Sequence, residues 1–197
     1  MGGTATFSHN LTVIPELLII KRRSAVSSWP VLYNFVGSNF DKLQGLNQTG
    51  AAATNTYTDG AGLGGAPTAT TFTVDSSSTF NGSGSTFVAY LFATCAGVSK
   101  VGSYTGNGSS QTINCGFTAS ARFVLIKRTD STGDWMVADS ARGIIAGSDP
   151  YLELNNTNAE VTGEDWLDTD STGFVVNEVS GSNANTNGAT YIFLAIA

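Results

Sequence analysis

Apolar positions in this chain come in short runs broken by Gly, Ser, Thr and Asn, the spacing of strands and turns rather than of helices. The run Leu17 Leu18 Ile19 Ile20 is apolar on both pleat faces and predicts a central strand, turning polar at Lys21 and Arg22 where it reaches the rim. Ser24 to Ser28 then make a turn, and alternation resumes with Trp29, Val31 and Tyr33 on one face, which predicts a hairpin. The same pattern returns as Phe123 Val124 Leu125 Ile126, then Lys127 and Arg128, the turn Asp130 Ser131 Thr132 Gly133, and Trp135 with Val137. A constant offset of 106 also aligns Leu11 with Phe117 and Gly37 with Gly143, so one unit has been duplicated.

The expected fold is therefore all-β, a duplicated antiparallel β-sandwich in which each copy supplies about five strands. Residues 1–100 form the first repeat and 101–197 the second, packed either as two beads or as one pseudo-symmetric body. Thr4 to Leu11 reads as an opening strand, and both copies close on strongly β segments, Thr86 to Ala93 and Thr190 to Ala197. A closing strand left uncovered would be an aggregation-prone edge, for which burial between subunits is one remedy. Val101 to Gly108 reads as a further strand and turn whose counterpart in copy 1 would precede Met1. Later the copies drift. Leu46 Asn47 matches Leu154 Asn155 at 108, Tyr57 and Asp59 match Trp166 and Asp168 at 109, and Phe72 matches Phe174 at 102. The jump back requires an insertion in copy 1, for which the Gly/Ala-rich tract 60–67 is the obvious candidate.

Composition sharpens this picture by exclusion. Apolar residues make up 41%, enough for ordinary cores, while only 12% are charged and 23 are Gly. A net charge of −6 with nine scattered cations argues against a nucleic-acid partner. No window is apolar enough to cross a bilayer, and the first residues lack the pattern of a signal peptide, so a soluble chain without a secretion address is expected. Cys95 and Cys115 are expected to be free thiols rather than a bridge.

Several phrases, taken together, point to a family. Lys127 Arg128 Thr129 Asp130 Ser131 Thr132 Gly133 Asp134 Trp135, Tyr151 Leu152 Glu153 Leu154 Asn155, Ser171 Thr172 Gly173 Phe174 and Gly102 Ser103 Tyr104 Thr105 Gly106 Asn107 Gly108 resemble a repeat of tail-fibre-like and other virion structural proteins of bacteriophages, notably marine ones. Copy 1 departs from it in the Ser24 to Ser28 turn and the 60–67 tract. The resemblance implies a surface-exposed virion part, assembled in the host cytoplasm, that associates with itself, as a trimer by preference, and with other virion proteins. It carries over no catalytic residues, cofactor or metal. A tail-fibre-like module for attachment to a host-surface glycan is the leading expectation. A capsid decoration protein suits the short length, and a glycan-degrading tail enzyme suits the acidic segment described next.

Candidate chemistry is sparse. The sole histidine, His9, has no nucleophile elbow to serve, and one His with two Cys cannot complete a zinc site. Glu160, Glu164, Asp165, Asp168 and Asp170 are dense enough to suggest the paired carboxylates of a glycosidase, but the adjacent Glu164 and Asp165 would point to opposite faces of a strand, and a solvated acidic loop is the expected reading. Asp168 to Gly173 echoes the first half of a calcium loop, but Glu178 falls one residue short of the closing position, which favours a plain turn. Trp29 and Trp135 read as packing residues. Trp166, lying among Asp165, Asp168 and Glu164, is the expected ligand or partner contact together with Asp165 and Asp168. Lys21, Arg22, Lys127 and Arg128 read as strand-end charges that keep rims soluble and block edge pairing.

Overall fold

The computed structural model describes residues 3–33, 41–54, 63–144, 147–177 and 183–197. The expectations placed on Gly37, Tyr57, Asp59, residues 60–62 of the inserted tract, and Glu178 lie outside these residues. The chain is nearly all-β and divides into two compact units. Unit 1 comprises Met1–Asn47 with Ala52–Ala93, and unit 2 comprises Thr94–Ala197 with Gln48–Ala51. The division falls between Ala93 and Thr94 rather than at 100/101, because Ser99–Thr105 is one continuous strand of unit 2.

In unit 1, β1 (Ala5–Ser8), β2 (Leu17–Arg22), β3 (Pro30–Tyr33), β4 (Lys42–Gly45), β5 (Ala53–Thr54), β6 (Thr71–Val74), the single helical turn α1 (Ser78–Asn81) and β7 (Phe87–Phe92) form two antiparallel sheets, ordered β5-β4-β3-β2-β7 and β1-β6. In unit 2, β8 (Ser99–Thr105), β9 (Gln111–Asn114), β10 (Phe123–Arg128), β11 (Trp135–Asp139), β12 (Leu152–Glu153), β13 (Leu167–Asp170), β14 (Gly173–Val176) and β15 (Thr190–Ile196) form the sheets β12-β11-β10-β15-β8 and β13-β14-β9. The duplication extends to register. Ile19 pairs with Val31 and Tyr90 as Leu125 pairs with Val137 and Leu194, and Phe7 pairs with Phe72 as Ile113 pairs with Phe174.

The apolar runs build these cores directly. Leu18, Ile20, Leu32, Phe72, Val74 and Phe80 form the core of unit 1, joined by Leu63 from within the inserted tract, which bridges to Val74. In unit 2, Val124, Ile126, Met136, Trp166, Phe174 and Phe193 form the core, with Phe174 edge-on to Phe193 at 5.2 Å. The four apolar residues of β2 are buried on both pleat faces, as their pattern predicts.

Two expectations are corrected here. The closing strand β15 is not an edge, because β10 and β8 flank it; the edge is its counterpart β7. Lys127 is not a solvated rim charge but fully buried, its Nζ donating to the carbonyls of Gly133 at 2.8 Å and Thr49 at 3.0 Å. Both β2 and β10 are central strands, so their charges guard no edge.

Burial pushes the Lys127 ammonium down to about 8, partly opposed by Asp134. The unfolded chain then holds more protons than the folded one between about pH 8 and the ordinary lysine value near 10.5, so this residue's contribution is full above 10.5 and lost as pH falls through 8. Denaturant titrations between about pH 8 and pH 9 should therefore show a rise in stability that Lys127→Met abolishes. An unchanged slope in the variant would contradict the burial of a titrating lysine.

Candidate functional site

The acidic segment of unit 2 leads into β13, and its carboxylates are distributed among separate partners. Glu160 pairs with Arg142 at 3.1 Å, and Arg142 also binds Asp139. Glu164 accepts from the Tyr151 hydroxyl at 3.3 Å, and burial above all, reinforced by the Glu164 charge, pushes that hydroxyl well above the ordinary tyrosine range. Asp170 stands at the two-residue turn between β13 and β14, where Oδ1 accepts from the Thr172 hydroxyl at 2.6 Å and the Thr172 N–H at 2.8 Å. These bonds hold the half-buried Asp170 carboxyl below its usual range. The calcium-loop phrase is thus a hairpin turn. Gly173 completes it because a Cβ there would meet the Ile113 carbonyl at 2.2 Å.

Trp166 departs from the expectation of a ligand contact. It is fully buried, meets Tyr151 edge-on at 5.3 Å, and donates its indole N–H to the Asp149 carbonyl at 3.0 Å. Asp165 before it is exposed and Glu164 half-buried, while Trp166 and Leu167 turn into the core. Asp165 and Asp168 do come together. Both accept from the Asn177 side-chain amide, at 3.2 and 2.8 Å, and Asp165 also accepts from the Gly147 N–H.

Asp149, which the sequence reading did not single out, joins them. Its carboxylate is fully buried, accepts from the Leu167 N–H at 3.2 Å, and offers an oxygen within 4.8 Å of those of Asp165 and Asp168. Three carboxylates at this separation repel one another unless a cation or hydrogen-bond donors intervene, and oxygen-only sets of this kind suit hard divalent ions. Here the neutral amide of Asn177 and backbone N–H groups of Gly147 and Leu167 are among the donors. Asp149 and Asn177 lie 16 and 12 residues from Asp165, a separation that only the folded chain closes.

Outside this cluster, the single groups are accounted for locally. His9 follows β1, accepting from the Leu11 N–H and donating to the Thr68 carbonyl. Both cysteines are free; Cys95 is exposed, and burial pushes the Cys115 thiol up to about 11, which leaves it protonated and unreactive at neutral pH.

Removing one charge from the cluster reads its state. Asp168→Asn keeps a carbonyl oxygen for Asn177 and relieves repulsion, so it should stabilise unit 2 by about 1 kcal/mol, or roughly 2–4 °C in Tm. A variant that melts lower, together with a chelator that lowers the Tm of the parent protein, would instead show a cation held by the three carboxylates.

Comparison with known proteins adds one match. No curated protein and no solved structure matches the chain. A family model described as a domain of unknown function, DUF7483, matches residues 1–197, the same span that the two repeated sandwiches occupy, and the chain belongs to that family.

Proposed function

We propose that the chain is a non-enzymatic structural protein of a bacteriophage virion, a tail-fibre-like module for attachment to the host surface. The observation that carries this reading is the engagement of the chemically promising groups in holding the fold. Trp166 lies in a core, Asp170 caps its own turn, Lys127 binds two main-chain carbonyls, and Asn155 accepts from the Trp135 N–H at 2.7 Å. A β framework with only 12% charged residues suits a part that assembles and presents surface rather than one that turns over substrate. The phrases shared with virion structural repeats support the location. On this reading the chain's partners are further copies of itself, as a trimer by preference, other virion proteins and a host-surface glycan.

Light scattering on the purified protein should give three times the chain mass of 20.4 kDa. An antibody raised against it should label intact particles whose genome encodes the chain. A monomer at all concentrations would overturn the oligomer, and labelling confined to lysate would overturn the virion assignment.

A further inference from the structure

The two hairpin turns differ in charge, and the difference falls where copy 1 departs from the repeated phrase. In unit 2, Arg128 closes a bidentate ion pair on Asp130, Nε to Oδ1 and Nη2 to Oδ2, each at 3.1 Å. Oδ1 of Asp130 also accepts from the Thr190 N–H at 3.1 Å, which ties the turn to β15. At the offset of 106, unit 1 has Arg22 for Arg128, Arg23 for Thr129 and Ser24 for Asp130. Ser24 keeps the structural role of the aspartate, because its Oγ accepts from the Thr86 N–H at 3.3 Å, just ahead of β7. It lacks the charge. The Arg22 guanidinium meets that hydroxyl at 3.4 Å, and no carboxylate pairs with Arg22 or Arg23 among the described residues. Arg23 and the short side chains of Ser24, Ala25 and Val26 are exposed, so the turn is open to approach. Lys21, by contrast, is held by the Ser27 carbonyl and the Trp29 ring.

The surplus carboxylates lie in the other unit. Unit 1 holds four cations and four carboxylates, unit 2 five and eleven, so the whole net charge of −6 belongs to unit 2. Its crowded point is the cluster of Asp149, Asp165 and Asp168, where the amide of Asn177 and the backbone donors are neutral. Asp165 is exposed there, and Oδ1 of Asp168 is buried with no hydrogen-bond partner. A guanidinium suits this rim, since its planar fork of five N–H groups serves two carboxylates at once and brings the charge that offsets their repulsion.

We propose that copies of this chain join head to tail, the Arg22 and Arg23 turn of one copy seated on the Asp165 and Asp168 rim of the next. The Arg128 and Asp130 pair shows the bond that an arginine at this turn makes when a carboxylate is within reach. Charge complementarity then selects the second copy and its orientation. Unit 2 against unit 2 sets −6 against −6, and turn against turn sets cation against cation, so only the unlike faces attract. Such a heterologous contact closes into a ring or runs on as a filament, and closure after three copies yields the trimer proposed above. The inference rests on the self-association in that reading and not on the virion location.

The test follows the molar mass of the full chain in solution as a function of concentration. Arg22→Glu with Arg23→Glu should weaken association at least about tenfold, and Asp165→Arg should do the same, each with the β-sheet circular dichroism of the parent. All three substitutions in one chain should restore association, a recovery that misfolding cannot mimic. Raising salt from about 0.05 to about 0.5 M should dissociate the parent, a measurement that decides the matter even if a reversal unfolds the chain. An oligomer indifferent to salt and to both reversals, or a folded triple variant that stays apart, would overturn the head-to-tail contact and leave self-association to other surfaces. A parent that is monomeric at all concentrations would overturn both. Binding of alginate by that monomer, lost with Arg22→Glu and Arg23→Glu, would put an acidic glycan on the turn in place of a second copy.

Discussion

The structure depends on a clasp made twice, once per repeat. The N–H of the tryptophan that opens the second strand of the hairpin donates to an asparagine carbonyl oxygen, Trp29 to Asn47 at 2.9 Å and Trp135 to Asn155 at 2.7 Å. The residue before each asparagine returns its own N–H to the tryptophan carbonyl, from Leu46 at 2.8 Å and Leu154 at 2.9 Å. A lysine at the end of the preceding strand then takes the carbonyl two residues before the tryptophan, Lys21 to Ser27 and Lys127 to Gly133. Main-chain groups at a turn beside a core have no ladder partner, and leaving one unbonded costs on the order of 1–3 kcal/mol. The clasp supplies those partners and fixes how the turn meets the next strand, so the apolar runs on either side fall in register.

Around this common element the units diverge by exchanging volume across strands. Phe193 against Gly102 in unit 2 is a large side chain under a small one, and Ala89 in unit 1 inverts the first half of that pair. Phe80 lies where unit 2 has Ala184, and both are buried. Duplication followed by such swaps keeps backbone registers while changing what each sheet edge presents, which is how two copies of one fold acquire different surfaces.

Much of the framework was legible in the sequence because it is written in local pattern. The Leu17–Ile20 and Phe123–Ile126 runs, the turns after them and the offset of 106 all survive as strands, hairpins and matching registers. The site was less legible because burial is not local. Trp166 has carboxylates for neighbours in sequence yet turns into the core, and Lys127 resembles a rim charge until Gly133 and Thr49 close over it. Asp149 and Asn177 reach Asp165 and Asp168 only through the sandwich, and the matching bonds of Asn81 to the Gly3 carbonyl and Asn185 to the Ser109 carbonyl stand at an offset of 104 that the drifting repeats disguise.

The central claim is that the repeated phrases encode the fold and not a binding surface. Equilibrium unfolding of Asn47→Ala and Asn155→Ala tests it most directly. Each substitution should lower stability by about 1–3 kcal/mol through the unbonded tryptophan N–H, while the folded protein keeps the self-association of the parent. Variants as stable as the parent but changed in what they assemble with would show that the asparagines face a partner, and would contradict the account.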